Sequence, residues 1–336
     1  YNRLSAQVNA DYKIKKWLKI GMTASLEKWD MSTVSESSEY GSLLAAVLCM
    51  DPLTPNLYKP ENLPVFMKNN QADPEWVASY NDYLKNKDGD YYGISQFVTS
   101  EQVHPMIMRD ATDSKSWGAN ALGTFFIDFM PLKNLTITSK LGYRAGYSNT
   151  KTYGGLYYAN DMVYRNQITL SRNSGNNLYY QWENYANYNL NTGKHYFNAM
   201  LGISFAQTRT DYVSASTNEL TKDLPQFRDI AYSAATATKG IGGYYTLSAK
   251  MSYFARLSYT YAEKYLLQAV VRRDAFDTSV LPLEKRWGTF PSVSAGWVAS
   301  KEGFLSGNQT LSYLKLRASW GQNGNIGPLG GFAYKT

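Results

Sequence analysis

LSAKMSYFARLSYTY, residues 247–261, decides the reading of this chain. Leu247, Ala249, Met251, Tyr253, Ala255, Leu257, Tyr259 and Tyr261 share one parity, and Ser248, Lys250, Ser252, Phe254, Arg256, Ser258 and Thr260 share the other. Successive side chains of a strand point to opposite faces. The stretch therefore makes one apolar face and one polar, charged face. Soluble strands run about 5–6 residues, and this one is far longer. Long strands that alternate apolar-out and polar-in are the pattern of a membrane barrel.

Working outward, the same alternation recurs. Leu4, Ala6, Val8, Ala10 and Tyr12 form one apolar row, and Leu18, Ile20, Met22, Ala24 and Leu26 another. Further rows are Leu135, Ile137, Leu141, Tyr143, Ala145 and Tyr147, then Leu178, Tyr180, Trp182, Ala186, Tyr188 and Leu190. Phe197 to Phe205, Tyr265 to Val271, Val293 to Trp297 and Leu314 to Trp320 continue the series, and residues 117–129 read as a strand with poorer alternation. The total is about ten strands. Short turns fall near 13–16, 131–134, 191–194 and 262–264, and alternate with long connections near 30–115, 149–176, 210–245 and 276–288. Barrels of the outer membrane have short periplasmic turns and long extracellular loops. Aromatics flank the short turns (Tyr12 and Trp17, Tyr188 and Phe197, Tyr261 and Tyr265), where an interfacial girdle belongs. A soluble β-sandwich also alternates, but gives no reason for long and short connections to alternate. The charges obey parity as well: Lys140 shares a face with Arg144, and Lys250 with Arg256. A Lys or Arg facing lipid at mid-bilayer costs about 2–4 kcal/mol. The fold expected is all-β, a partial transmembrane antiparallel β-barrel with long extracellular loops. Lys140, Arg144, Lys250, Arg256 and Arg272 are expected to face its lumen and to contact a plug or a solute.

Composition agrees. Aromatics make up 15% of the 336 residues, with 29 Tyr and 8 Trp, and only 18% are charged. The net charge of +7 comes without a dense basic block, which argues against a nucleic-acid partner. Cys49 stands alone, so no internal disulfide or thiolate metal site is available. No apolar run approaches the length of a membrane helix. The chain starts at Tyr1 within an alternating segment, so it is expected to be a piece whose export signal lies upstream.

Within the first long connection, residues 41–50 read as a short helix ended by Pro52, and a second is expected around Asp73 to Leu84 with Pro74 at its first turn. Tyr80, Tyr83, Tyr91 and Tyr92 suit either packing of loop on loop or contact with a partner. Catalytic chemistry is sparse. His104, with Arg109 and Asp110 nearby, lacks a nucleophile at readable spacing. Residues 321–327 lack phosphate-loop spacing, and Asp274, Asp277 and Glu284 lack calcium-loop spacing. No enzyme, cofactor or metal is expected. A complete small outer-membrane barrel enzyme of protease type, or a structural or adhesive barrel, is the alternative to a transporter.

RWGTFPSVSAGW, residues 286–297, followed by LKLRASWGQNGN, residues 314–325, closely resembles the SusC/RagA family of TonB-linked outer-membrane proteins, typical of Bacteroidetes. Arg286, Trp287, Gly288, Phe290, Pro291, Ser292, Gly296 and Trp297 carry the first motif. Leu314, Lys315, Leu316, Arg317, Trp320, Gly321, Asn323, Gly324 and Asn325 carry the second. Residues 270–281 are similar to a further family stretch, from which Ala275, Phe276 and Asp277 depart. The resemblance implies a barrel of about 22 strands, of which residues 1–336 supply about ten. The plug, the TonB-contacting segment, the signal peptide and the closing strands lie elsewhere. It also implies TonB-dependent import of a large nutrient, a glycan or oligopeptide, across the bacterial outer membrane. The partners implied are a SusD-like lipoprotein, TonB and outer-membrane lipid. Residues 30–115 would be a long extracellular loop with short helices.

Overall fold

The computed structural model describes residues 1–33, 42–98, 104–277, 281–305 and 310–325. In chain order the elements are β1 (Asn2–Lys15), β2 (Leu18–Ser32), α1 (Leu43–Cys49), β3 (Leu57–Tyr58), α2 (Val65–Ala72), α3 (Pro74–Tyr80), β4 (Tyr91–Tyr92), α4 (Pro105–Asp110), β5 (Thr112–Leu132), β6 (Leu135–Gly154), β7 (Tyr157–Asn160), β8 (Val163–Arg165), β9 (Thr169–Thr192), β10 (His195–Thr217), β11 (Lys239–Tyr261), β12 (Tyr265–Asp277), β13 (Trp287–Val298) and β14 (Lys315–Gly321). Ten of these strands form one sheet in the order β1-β2-β5-β6-β9-β10-β11-β12-β13-β14. Every neighbouring pair in it is antiparallel. The remaining four strands make two ribbons, β3–β4 and β7–β8.

Register joins the separate apolar rows into one surface. Met22, Phe125, Leu141, Trp182, Phe205 and Met251 stand directly opposite one another across β2, β5, β6, β9, β10 and β11. The other face carries Lys140, Glu183, Ser204, Ser252 and Asp274 in an equally continuous row. A one-residue slip at any pair would break both rows, because it moves every side chain to the opposite face. Burial is inverted relative to a soluble sheet: Leu201 is 68% exposed, whereas Ser204 and Ser252 are each 4% exposed.

The short-turn ends are staggered. Leu18 pairs with Phe129, and β5 runs on to Leu132; Leu135 pairs with Tyr188, and β9 runs on to Thr192. From β10 to β13 the ends are level, with His195 opposite Tyr261 and Tyr265 opposite Trp297. With about 3.3 Å per residue and about 4.8 Å per strand, the drop over these strands corresponds to a tilt of about 35°, the inclination of barrel strands.

Several strands are longer than the alternation predicts. β6 continues to Gly154, β9 begins at Thr169, β10 reaches Thr217 and β11 begins at Lys239. A membrane strand needs only about 9–11 residues. The excess lies at the long-connection end, where Thr150, Lys151, Thr152, Asn173 and Ser174 still pair in register. Polar residues occupy both faces over most of that length, so the alternation that reveals a strand is lost while its backbone ladder persists, and Tyr153 and Leu170 are buried against the connections. The connections expected at 149–176 and 210–245 are correspondingly shorter.

The buried apolar clusters lie at this end, among the connections and the strand ends they pack against. Leu63, Met67, Tyr83, Tyr91, Ile94 and Tyr158 form one, and Tyr153, Ile168, Leu170 and Leu220 another. Ser42 caps α1 through its hydroxyl, which accepts from Ala45 N, and Asp73 caps α3 with Pro74 at its first position. The helices α2 and α4 were not expected from sequence; both begin beside proline. Residues 34–41, 99–103, 278–280 and 326–327, which belong to the first long connection, the stretch at 270–281 and the stretch at 321–327, lie outside the described residues.

Candidate functional site: the polar face of the sheet

The polar face offers donors, carboxylates and rings in two groups. On β6 and β9, Lys140 stands opposite Glu183, and Arg144 opposite Tyr179. The Arg144 guanidinium lies 5.9 Å from the Tyr179 ring centre. A relay continues from it: Tyr179 donates to Gln181 Oε1, and Gln181 Nε2 donates to Glu183 at 2.7 Å and to Ser204 at 3.3 Å. Thr23, Leu122 and Gly142 complete a concave surface around this group. Among the described residues neither Lys140 nor Arg144 has a carboxylate within ion-pair distance.

The second group lies on β10, β11 and β12, roughly 14 Å around the wall at three strand spacings. Arg256 donates to Asn198 Oδ1 at 3.2 Å, and its Nε is buried without a partner. Arg272 donates to Asp274 at 2.7 Å and to Ser252 at 2.9 Å. Lys250 lies 4.9 Å from the Phe276 ring centre. The five expected cations thus share one face but not one site, and only Arg272 has a carboxylate partner among the described residues. Tyr179, Gln181 and Glu183 were not singled out from sequence. Their meeting with Arg144 and Lys140 depends on the β6–β9 register, which no local pattern reveals.

The two halves of the C-terminal motif meet. Pro291 O accepts from Gln322 N at 3.0 Å, and Ser292, Val293 and Trp297 pair with Gly321, Trp320 and Leu316. A Cβ on Gly288 or Gly324 would lie 2.6 or 2.4 Å from the same Phe290 ring, so both glycines leave room for one side chain. Arg286 pairs with Asp277, while Gly296 and Arg317 face each other across β13 and β14. Leu314 O accepts from Ser300 N at 3.3 Å. Asp274 and Asp277 lie at opposite parities of β12, so they point to opposite faces and do not converge. Among the described residues no cluster of three or more His, Cys, Asp or Glu side chains is suited to a metal ion.

At the short-turn end the rings gather as expected of a girdle. Trp17 meets Phe129 at 5.8 Å edge-on, and Phe197 stacks on Tyr259 at 4.7 Å. Glu302 accepts from Tyr265 OH at 2.7 Å, Lys264 Nζ at 2.9 Å and Trp297 Nε1 at 3.2 Å. These three donors, the tyrosine first, hold its carboxyl down at about 2.

At the opposite end His104 is 6% exposed. Its Nδ1 accepts from Met106 N at 3.1 Å, so Nε2 carries the proton and donates to Asn56 Oδ1 at 2.7 Å. Burial pushes its pKa down. Asp110 instead receives Tyr92 OH and Arg109. His104 and Asp110 therefore make no dyad.

No family model matches the chain. TonB-dependent receptor P26 of Formosa agariphila is 30% identical over 253 residues, 72% of this chain and 24% of that protein. TonB-dependent receptor SusC of Bacteroides thetaiotaomicron is 43% identical over 93 residues, 27% of this chain and 9% of that protein. The solved RagAB peptide transporter superposes with a TM-score of 0.72 at 17% identity, covering 98% of this chain and 33% of that one. Its open-open state gives 0.69. The fold is thus that of part of an outer-membrane barrel wall. The chain is a SusC/RagA-like segment of a TonB-dependent receptor of the bacterial outer membrane, and it spans about a quarter of the length of the first of these relatives.

Proposed function

We propose that this chain forms part of the wall and extracellular loops of a TonB-dependent importer that takes up a large nutrient, a glycan or an oligopeptide, together with a SusD-like lipoprotein. The observation that carries the reading is the unbroken partition of the ten-stranded sheet into an apolar and a polar face. Similarity to SusC and to the RagAB peptide transporter supports it. The long connection between β2 and β5 is then an extracellular loop. Lys140, Arg144, Lys250, Arg256 and Arg272 contact the plug or the solute, and TonB acts through a part of the protein outside this chain.

Deleting the full-length gene tests the proposal. Growth on the cognate glycan or peptide mixture is expected to fail, and to return with the intact gene only in a strain that retains TonB. Equal growth of the deletion strain across glycans and peptides, or complementation without TonB, rejects it.

A further inference from the structure

On the apolar face, β11, β12 and β13 bring two rings and one guanidinium together. Tyr253 on β11 stands directly opposite Arg273 on β12, and Trp287 on β13 lies two residue pairs further along, opposite Ala275. The Tyr253 and Trp287 rings are stacked 5.7 Å apart, and the Arg273 guanidinium lies 5.3 Å from the Trp287 ring centre. Arg273 is exposed, and no carboxylate among the described residues pairs with it. Asp277, an outward-facing carboxylate on the same strand, is taken by Arg286. Toward the membrane centre from Arg273, Ala269, Ala295 and Ala318 floor a trough of about 630 Å³ walled by Leu257, Leu267 and Trp320. Ala269 is four residues from Arg273 on the same face, about 13 Å along the strand.

We infer that Tyr253, Arg273 and Trp287 seat the phosphate of a membrane lipid, with one of its acyl chains lying in the alanine-floored trough. The inference rests on the proposed function, in which the apolar face of the wall meets lipid. A guanidinium binds phosphate through paired charge-assisted hydrogen bonds. Tyr and Trp place their polar edges at the membrane–water boundary. The trough supplies apolar wall where a chain would run, and small side chains there leave a groove that Leu or Phe would fill. Charge, rings and groove together fit an anionic headgroup on an acyl chain; free phosphate would leave the groove unused.

The full-length protein in nonionic detergent is titrated with dioleoyl phosphatidic acid or with dioleoyl glycerol, which has the same chains and no phosphate. Bound lipid is read by native mass spectrometry. Phosphatidic acid is expected to be retained, about tenfold more weakly by Arg273→Gln and nearly normally by Arg273→Lys. Ala318→Phe is expected to weaken retention with the charge intact, and inorganic phosphate is expected not to compete. Equal retention of both lipids, no loss in Arg273→Gln, or competition by inorganic phosphate overturns the inference. Tryptophan quenching by brominated phosphatidylcholine separates the two readings. Absence of quenching rejects the lipid-facing surface itself. Quenching together with unchanged Arg273→Gln retention rejects only the lipid seat.

Discussion

Gly202 has no side chain because Phe254 and Tyr185 occupy its space. A Cβ there would lie 2.4 Å from the Phe254 ring and 2.7 Å from Tyr185 Cβ. The ring lies over bare backbone on the lumen face, which fastens β10 to β11 without adding bulk. Gly202→Ala is expected to destabilise the barrel by about 1–3 kcal/mol, with partial recovery when Phe254 is also changed to Leu. Thermal unfolding of the reconstituted protein measures both. His104 makes a second residue-scale prediction. The folded chain holds it neutral with a lowered pKa, while the unfolded chain binds a proton near the ordinary value of about 6.5. Its contribution is therefore present above that value and lost as pH falls through the folded pKa. A proton on Nδ1 also removes the acceptor of Met106 N–H. Acidification is expected to raise amide exchange across residues 104–111, and His104→Gln to flatten that pH dependence.

Strand β11 is the element on which the face assignment can be tested most directly. Cysteines placed at Met251 and Leu257 are expected to resist aqueous thiol reagents in the membrane, and cysteines at Ser252 and Ser258 to react. The reverse pattern would reject the faces. Alternation alone reads this strand correctly between Leu247 and Tyr261, because there one face is apolar and the other polar. The same logic explains what alternation missed. In β10 the residues from Thr208 to Thr217 put polar side chains on both faces, so TRTDYVSAST has no period to read although its ladder is intact. Likewise, KGIGG at the start of β11 pairs fully yet reads as loop. The cations on the polar face were legible by parity. Their division into two groups was not, since it depends on which strands are neighbours and on a register set by stagger.

At the scale of the whole molecule, the tyrosines of the first long connection join two loops. Tyr158 of the β7–β8 ribbon packs edge-on against Trp76 at 4.9 Å and against Tyr83 at 5.5 Å. Sequence allowed either loop packing or partner contact for these rings. Tyr83 and Tyr91 are buried in this cluster, which favours packing. Tyr158→Ala is expected to cost about 3–5 kcal/mol of local stability, by analogy with other buried aromatic truncations. Protease cleavage within residues 42–111 should then rise while the barrel wall stays resistant. The long strands have a further consequence. β10 continues eight residues past Arg209, about 27 Å of paired backbone beyond the level where outward charges begin. In the proposed importer the mouth would thereby be raised into the aqueous layer above the lipid headgroups. Ligands would arrive there by three-dimensional diffusion from solution, and a molecule sliding along the membrane surface would meet a standing wall.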